Sequence, residues 1–517
     1  KPAETWTAAT RFDLLSSDRL DQHAGTDLSI VSKWHKQWKD GATQLQSSNE
    51  DFYRLYTQSV EDLGGLRLYS QIDLDEDEWL PAAGVPWYVT VFGRDSLLIS
   101  MQAMMVHPTL SLAALKHLAA LQADSRDDWR DAQPGKILHE VRHGELAHLE
   151  KIPHTPYYGS WDSTTLYLIL LHEAWKWMGD DSLLTQHKET AIRCLEWIDN
   201  FGDLDQDGFQ EYITYSQKGY ENMGWKDSPD AIVYADGSQV KQPKALCELQ
   251  GYLFDAWMRS AEVFAKLGDQ KFADELVAKA RRLQENFEEH FWNDEQQIYA
   301  LALDKEKKQA CPVASNIGHC LWTGLLRKDR AEKVVRRLMQ EDMWSGWGIR
   351  TLSAKCPAYN PHSYHCGSVW PHDNGLISLG FKRYGFAAEA AQVARDISEA
   401  ASFLVSYRLP ELYAGIHRTD CNFPIQYDGA NVPQGWAAGS VFHFLQAMTG
   451  IQADAPSGKL YVDPSLPNWL TSIRLSELRV GNARIALTFW RDGDETRWES
   501  EVQAGTIAVE QKPWAPW

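Results

Sequence analysis

Between about residue 94 and residue 450, apolar residues recur on the 3.6-residue period of a helix with one buried face. The periodic stretches are 94–106, 109–123, 163–178, 181–199, 245–267, 270–290, 327–339, 371–384, 387–403 and 436–449. They come in twos, with a short connection inside each pair and a longer, aromatic-rich one between pairs. Such helices bury their apolar stripes against one another as αα-hairpins, and stacked hairpins either run on as an open solenoid or close into a toroid. Either way the long connections gather at one end, where a site can form. No sequence repeat of fixed period is present, which disfavours the usual helical-repeat scaffolds. Asp162 or Ser163 is placed to cap one helix and Asp181 another, and His107-Pro108 interrupts the pattern.

The two ends read differently. Residues 1–80 form an N-terminal arm, helical over 29–38 and 49–63, with an acidic loop from Asp73 to Glu78 leading into Pro81. After about residue 455, period-2 alternation in Leu460-Tyr461-Val462, Ile473-Arg474-Leu475 and Ile485 to Phe489 predicts a small C-terminal β appendage, 456–517. The helical body is expected over 81–455.

Twenty-three tryptophans in a chain of formal charge −20 narrow the function. Several lie beside acids, as in Trp161-Asp162, Trp225-Lys226-Asp227 and Trp370-Pro371-His372-Asp373. A sugar offers apolar C–H faces to aromatic rings and hydroxyl edges to carboxylates, so its pockets need both residue types together. With 51 Lys and Arg against 71 Asp and Glu, a nucleic-acid partner is disfavoured, because phosphate binding needs clustered cations. No apolar run approaches the roughly 20 residues of a spanning helix, so no membrane partner is expected. The seven cysteines are scattered without a C-x-x-C pair and read as reduced thiols, which favours a cytoplasmic location.

Five loops can carry chemistry or wall a pocket. Trp87, Tyr88, Arg94 and Asp95 put two aromatics and a donor–acceptor pair at the mouth of a helix, able to grip vicinal hydroxyls or to form a structural salt bridge with a cap. Gly224-Trp225-Lys226-Asp227-Ser228-Pro229-Asp230 holds two carboxylates in a loop that Gly and Pro keep from being helical. Beside Trp225 a carboxyl is partly desolvated and retains its proton, the state a general acid requires; the alternative is a turn with an Asx cap. Leu409-Pro410-Glu411-Leu412 sets one Glu among apolar neighbours, where Glu is rarely buried without a partner or a task. Glycosidic hydrolysis needs such a pair, an acid for the leaving oxygen and a carboxylate to activate water or attack. Tyr364 to Asn374 and Tyr157 to Asp162 read as pocket walls; His365 and His372 lack a third ligand at a zinc spacing.

Asp203, Asp205, Asp207 and Glu211 alternate around Gly208. The spacing suits an oxygen-ligated cation such as a structural Ca²⁺, or a solvated acidic turn between helices. Thr214 stands where an EF-hand needs its twelfth-position Glu, so a calcium sensor is excluded.

Taken jointly and in order, six segments carry a resemblance. They are Ala83 to Tyr88 with Phe92-Gly93-Arg94-Asp95-Ser96, Pro134 to Glu140, Tyr157 to Ser160, Gly224 to Ser228, Ser315 to Trp322, and Leu409 to Leu412. Over residues 80–450 the chain resembles the bacterial and archaeal amylo-α-1,6-glucosidase domain of glycogen debranching enzymes, within the six-hairpin (α/α) toroid glycosidases that include glucoamylase, trehalase and processing glucosidase I. The resemblance implies a mainly α fold, an (α/α)6 toroid with the N-terminal helical arm and the β appendage, and an inverting mechanism. It implies Asp227 as acid and Glu411 as base, with Arg94 and Asp95 holding the terminal sugar. Where that family carries a sizeable N-terminal β-domain, only an arm of residues 1–80 is expected here, and a separate glucanotransferase domain is not.

The expected function is therefore an inverting, exo-acting glycoside hydrolase that removes terminal glucose from an α-glucoside, most simply an α-1,6 stub on a glycogen-like oligosaccharide. Trp87, Tyr88, Trp225, Glu248, His365 and Trp370 are the further candidate sugar contacts, and no organic cofactor is implied. Two rivals stand beside it: an epimerase or isomerase using His362, His365 and His372 as acid and base, and a non-catalytic glycan-binding subunit. Linkage, leaving group and oligomeric state are not fixed by the sequence.

Overall fold

The computed structural model describes residues 28–68 and 79–517, so the acidic loop from Asp73 to Glu78 and the first residues of the arm lie outside the described residues. The chain divides into two compact units, 1–41 and 42–517. In the first unit, α1 spans Leu28–Gly41.

In the second unit six inner helices close a toroid. They are α3 (Gly93–Gln102), α6 (Asp162–Met178), α8 (Cys247–Lys266), α10 (Asn316–Thr323), α12 (Pro371–Arg383) and α14 (Gly435–Thr449). Each packs on the next in that order, and α14 returns to pack on α3. Outside them, α4 (Leu110–Ala120), α7 (Asp181–Trp197), α9 (Gln270–His290), α11 (Lys328–Leu338) and α13 (Ala387–Ser402) each fold back on the inner helix they follow. The sixth outer helix is α2 (Glu50–Gly65), which packs on α14 and α13. A short α5 (Glu145–His148) lies in the long loop between α4 and α6. The chain is thus mainly α, with hairpins in a toroid and a C-terminal β part.

The two layers have different sequences for a physical reason. Outer helices are amphipathic: α11 buries Ala331, Val334, Val335 and Leu338 and turns its charges outward. Inner helices are enclosed on all sides, and every residue of α3, α10 and α12 is buried. Asn49 caps α2 and Asp180 caps α7 through their side chains, while Gly179, Gly324 and Gly450 end α6, α10 and α14 in the left-handed region. Asp180, rather than Asp181, is the cap: its Oδ1 accepts from Ser182 N at 2.9 Å, whereas Asp181 lies in the first turn and its Oδ1 accepts from Trp175 Nε1 at 2.9 Å.

The β appendage is a four-stranded sheet in the order Gln44–Ser47, Ser472–Val480, Ala483–Asp492, Glu495–Ala504, every neighbour antiparallel. Its first strand comes from the N-terminal side of α2. A second, three-stranded sheet joins Ala508–Gln511, Lys459–Val462 and Gln452–Asp454. Segments 42–65 and 452–511 therefore build these parts of the molecule together.

Candidate active site

The first turns of the inner helices carry acids at one end of the toroid: Asp95 in α3, Asp162 in α6, Glu248 in α8 and Asp373 in α12. A helix N-terminus carries about half a positive charge, and this lets several carboxylates be buried close together. Above these turns the long loops surround a small pocket of about 80 Å³, lined by residues that include Tyr88, Arg94, Asp95, Tyr220, Trp225, Asp227, Tyr364, His365, Trp370, Glu411 and Trp436. Asp227 and Glu411, far apart in the chain, face this one space.

The two carboxyls are held differently. Asp227 Oδ2 accepts from Arg94 Nη2 at 2.8 Å, while Arg94 Nη1 reaches Gly224 O at 2.8 Å and Asp162 Oδ2 at 3.3 Å. Arg94 is thus committed to the loop that presents Asp227. Burial opposes its charge, but Asp162, Asp227 and Asp95 outweigh it and hold the guanidinium protonated. Asp227 is raised above its ordinary value, first by burial and further by Asp162 and Glu140, against the pull of Arg94. At Gly224 a Cβ would come within 2.7 Å of Leu246 Cδ1 and 2.9 Å of Glu248 Oε1, so a larger residue would push those side-chain ends aside.

Glu411 is surrounded by donors. Its Oε1 accepts from Tyr364 Oη at 2.5 Å, and its Oε2 accepts from Asn431 Nδ2 at 2.8 Å and Asn431 N at 3.2 Å. Burial raises its pKa, with Asp227 adding to the shift, and the three hydrogen bonds pull against it without cancelling it, so the carboxyl stays above its ordinary value. Asp95, also on the cavity, is pushed up to about 7 by burial, with Glu411 and Asp227 adding to the shift and Arg94 opposing it.

The other predicted contacts fall in three places. Tyr88, Trp225, His365 and Trp370 line the cavity; His365 stacks on Trp370 at 5.0 Å, and Trp225 stands edge-on to both. Trp87 is on the rim, 60% exposed, its indole Nε1 donating to Gly429 O at 2.8 Å. It lines a second, open cleft of about 710 Å³ with Val89, Glu140, Arg142, Leu146 and His154, and Tyr220 lines both spaces. Glu248 is fully buried behind Gly224 and does not reach the cavity wall. Of the three histidines weighed for isomerase chemistry, only His365 faces the cavity. His372 lies behind it, stacked on Trp436 at 3.8 Å, and His362 is exposed.

Several lining residues do not stand out in the sequence. Trp436 is the second residue of α14 and reads as part of a helical stretch, while Tyr364 opens the aromatic segment already taken as a pocket wall. Asn431 leaves a fainter signal, the Gly- and Pro-rich run from Asp428 to Trp436. Asp162 reads locally as a cap, yet its side chain takes the Arg94 guanidinium.

The acidic loop at 203–211 gathers Asp203, Asp205 and Glu211 into a geometry able to hold a cation. A cation is already there. Lys307, from the hairpin of Ala302–Leu303 and Gln309–Ala310, places Nζ 2.9 Å from Asp205, 2.8 Å from Asp207 and in contact with Glu211. Asp203 meanwhile accepts from the backbone of Asp207 and Gly208. With the ammonium present the donor set does not fit Ca²⁺, and we propose that Lys307 takes its role. Excess calcium or a chelator is then expected to leave the melting temperature unchanged, whereas Lys307→Ala should gain a calcium-dependent rise. A calcium-dependent melt of the unaltered protein would restore the metal.

A family model described as mannosylglycerate hydrolase MGH1-like glycoside hydrolase domain matches residues 160–406. The match includes Asp227 and ends just short of Glu411. Mannosylglycerate hydrolase MGH1 of Selaginella moellendorffii is 31% identical over 97 residues, which are 19% of this chain and 20% of the relative. The chain thus matches a fifth of the length of that curated relative. Among solved structures, a GH78 family rhamnosidase of Bacillus sp. GL1 superposes with a TM-score of 0.63 at 13% identity, over 92% of this chain and 43% of its own. A sialidase gives 0.67 at 10% identity, over 94% and 42%. The GH63 mannosylglycerate hydrolase of Thermus thermophilus gives 0.53 at 15%, over 76% of this chain and 100% of its own. At these identities the structures speak for the fold. The family match supports a glycoside hydrolase of the MGH1-like type, and nothing in it reaches the α-1,6 linkage. No helix among the described residues is long and apolar enough to cross a membrane.

Proposed function

We propose that the protein is an inverting, exo-acting glycoside hydrolase that frees one terminal hexose from an α-glycoside. The observation that carries this is the small pocket on which an arginine-paired Asp227 and a donor-clamped Glu411 both open. Asp227 gives its proton to the glycosidic oxygen as the bond from that oxygen to the anomeric carbon breaks. Water adds to the anomeric carbon from the opposite face and loses a proton to Glu411, so the hexose leaves with inverted configuration. Inversion calls for carboxyls about 6.5 to 9.5 Å apart, with water between them. Arg94 lies where negative charge appears on Asp227 after proton transfer, and so stabilises the spent acid. Asp95 and Tyr88 are placed to bind the sugar, with Trp225, His365 and Trp370 as its apolar wall.

An α-1,6-linked glucose on a glycogen-like oligosaccharide is the first substrate in this reading, following the resemblance of the sequence. A hexose carried on glycerate is the second, favoured by the family match over 160–406. The two separate in one experiment. A panel of α-linked gluco-oligosaccharides, glucosylglycerate and mannosylglycerate is incubated with the enzyme while NMR follows the anomer first released. Release of β-hexose supports the mechanism and the preferred member names the leaving group; α-hexose as first product, or no release from any member, overturns the proposal.

In either reading the leaving group extends over the rim toward the open cleft. Trp87→Ala is expected to raise KM about three- to tenfold for a substrate with a sugar leaving group, the worth of one aromatic stacking contact. Initial rates on di- and trisaccharides measure it, and an unchanged KM on both would remove Trp87 from the binding path.

A further inference from the structure

The rim and the catalytic base share one buried side chain. Asn431 is fully buried, and its amide spans two loops: Oδ1 accepts from Trp87 N at 2.9 Å, while Nδ2 donates to Glu411 Oε2 at 2.8 Å. The backbones repeat the tie. Glu411 N donates to Asn431 O at 2.9 Å, Val85 N to Pro433 O at 3.0 Å and Val432 N to Val85 O at 2.8 Å. An amide held by a donor on its oxygen has no freedom to turn, so its N–H is fixed toward Glu411.

We infer that Asn431 is a positioning residue for the base, keeping the Glu411 carboxylate aimed and ionised by a hydrogen bond that the rim backbone orients. This rests on the hydrolase reading above. The physical need is specific. Glu411 is buried beside other acids, with Asp95 and Asp227 on the same cavity, and both burial and like charge favour its neutral form. A protonated Glu411 cannot take a proton from water. The titratable groups that face it are Tyr364, Tyr88, Asp95 and Asp227. Of these only Tyr364 donates to it, on the other oxygen, Oε1. Nothing but Asn431 donates to Oε2 among the described residues.

Asn431→Asp is the sharpest test, since it keeps size and the acceptor for Trp87 N but replaces the N–H on Glu411 with a carboxylate oxygen. The acidic limb of the kcat/KM profile is expected to rise by about one pH unit or more, as for paired carboxylates, with kcat at its optimum lower about tenfold. Merely loosening the loop would reduce the rate at every pH and leave the limb in place. A folded Asn431→Asp enzyme whose acidic limb coincides with that of the parent overturns the inference. If that variant does not fold, Asn431→Ala, which removes the donor without adding charge, decides the matter from the same limb. Glu411→Gln separates this failure from that of the underlying function. If Glu411→Gln turns over like the parent, the hydrolase assignment itself is lost; if it is inactive while the limb stays put, only the role of Asn431 is.

Discussion

Glu411→Gln is expected to lower kcat about a thousandfold, the usual scale for losing a general base. The acidic limb of the pH profile should vanish with it, because the group whose ionisation sets that limb is gone. Glutamine offers one acceptor where Glu411 uses two, against Tyr364 on one side and Asn431 on the other. One donor set then faces an NH2, at a cost of about 1 to 3 kcal/mol in stability. A thermal melt accompanies the kinetics so that lost activity is not mistaken for lost fold. Glu411→Ala adds a positive result. With the carboxylate removed, azide can enter from the side that water uses and form the β-glycosyl azide as the leaving group departs with the proton from Asp227. Detection of that product by NMR assigns Glu411 to the face opposite the leaving group. Recovery of an α-azide would instead place Glu411 on the leaving-group face, as the acid–base residue of a retaining enzyme whose nucleophile lies elsewhere.

Much of this site was legible because its chemistry uses residue types that stand out locally. Trp225-Lys226-Asp227 and Pro410-Glu411-Leu412 are loops in which an acid among apolar or aromatic neighbours invites a reason, and both acids open on the cavity. What linear reading could not supply is the partner across the fold. Asn431 touches Glu411 because the first and last long loops of the toroid are stitched together by backbone hydrogen bonds, a relation absent from local pattern. Arg94 and Asp95 read as a pair acting together, yet the helix sends the guanidinium to Asp162, Asp227 and Gly224 and leaves only Asp95 free toward the cavity.

The helices show the same division. Outer α9 and α11 declare themselves by amphipathic period, whereas α10, eight residues buried on every side, has no polar face to mark its turn and escapes periodicity. The arm expected before residue 81 contributes α2 as the sixth outer helix, because the last inner helix, α14, has no following partner in the helical body.

Asp227→Asn is the counterpart on the leaving-group side, and its effect depends on the substrate. For a natural glycoside, whose alkoxide is a poor leaving group, kcat/KM is expected to fall about a thousandfold or more. For a glycosyl fluoride or a dinitrophenyl glycoside, whose leaving groups need no proton, the loss should shrink to about tenfold or less. Asparagine also leaves Arg94 without the carboxylate its Nη2 now holds, so part of the residual loss reflects a loosened loop rather than missing acid. The pH profile separates the two. Burial raises Asp227 against the pull of Arg94, so the protonated, active form persists to higher pH than for an ordinary aspartate and is lost as pH climbs through the raised value. That alkaline limb should be present in the parent and absent in Asp227→Asn, with the acidic limb from Glu411 still in place. Equal losses on fluoride and natural glycoside, or an alkaline limb that survives the substitution, would place the acid elsewhere, and Asp95, pushed up to about 7 on the same cavity, would be the next residue to replace.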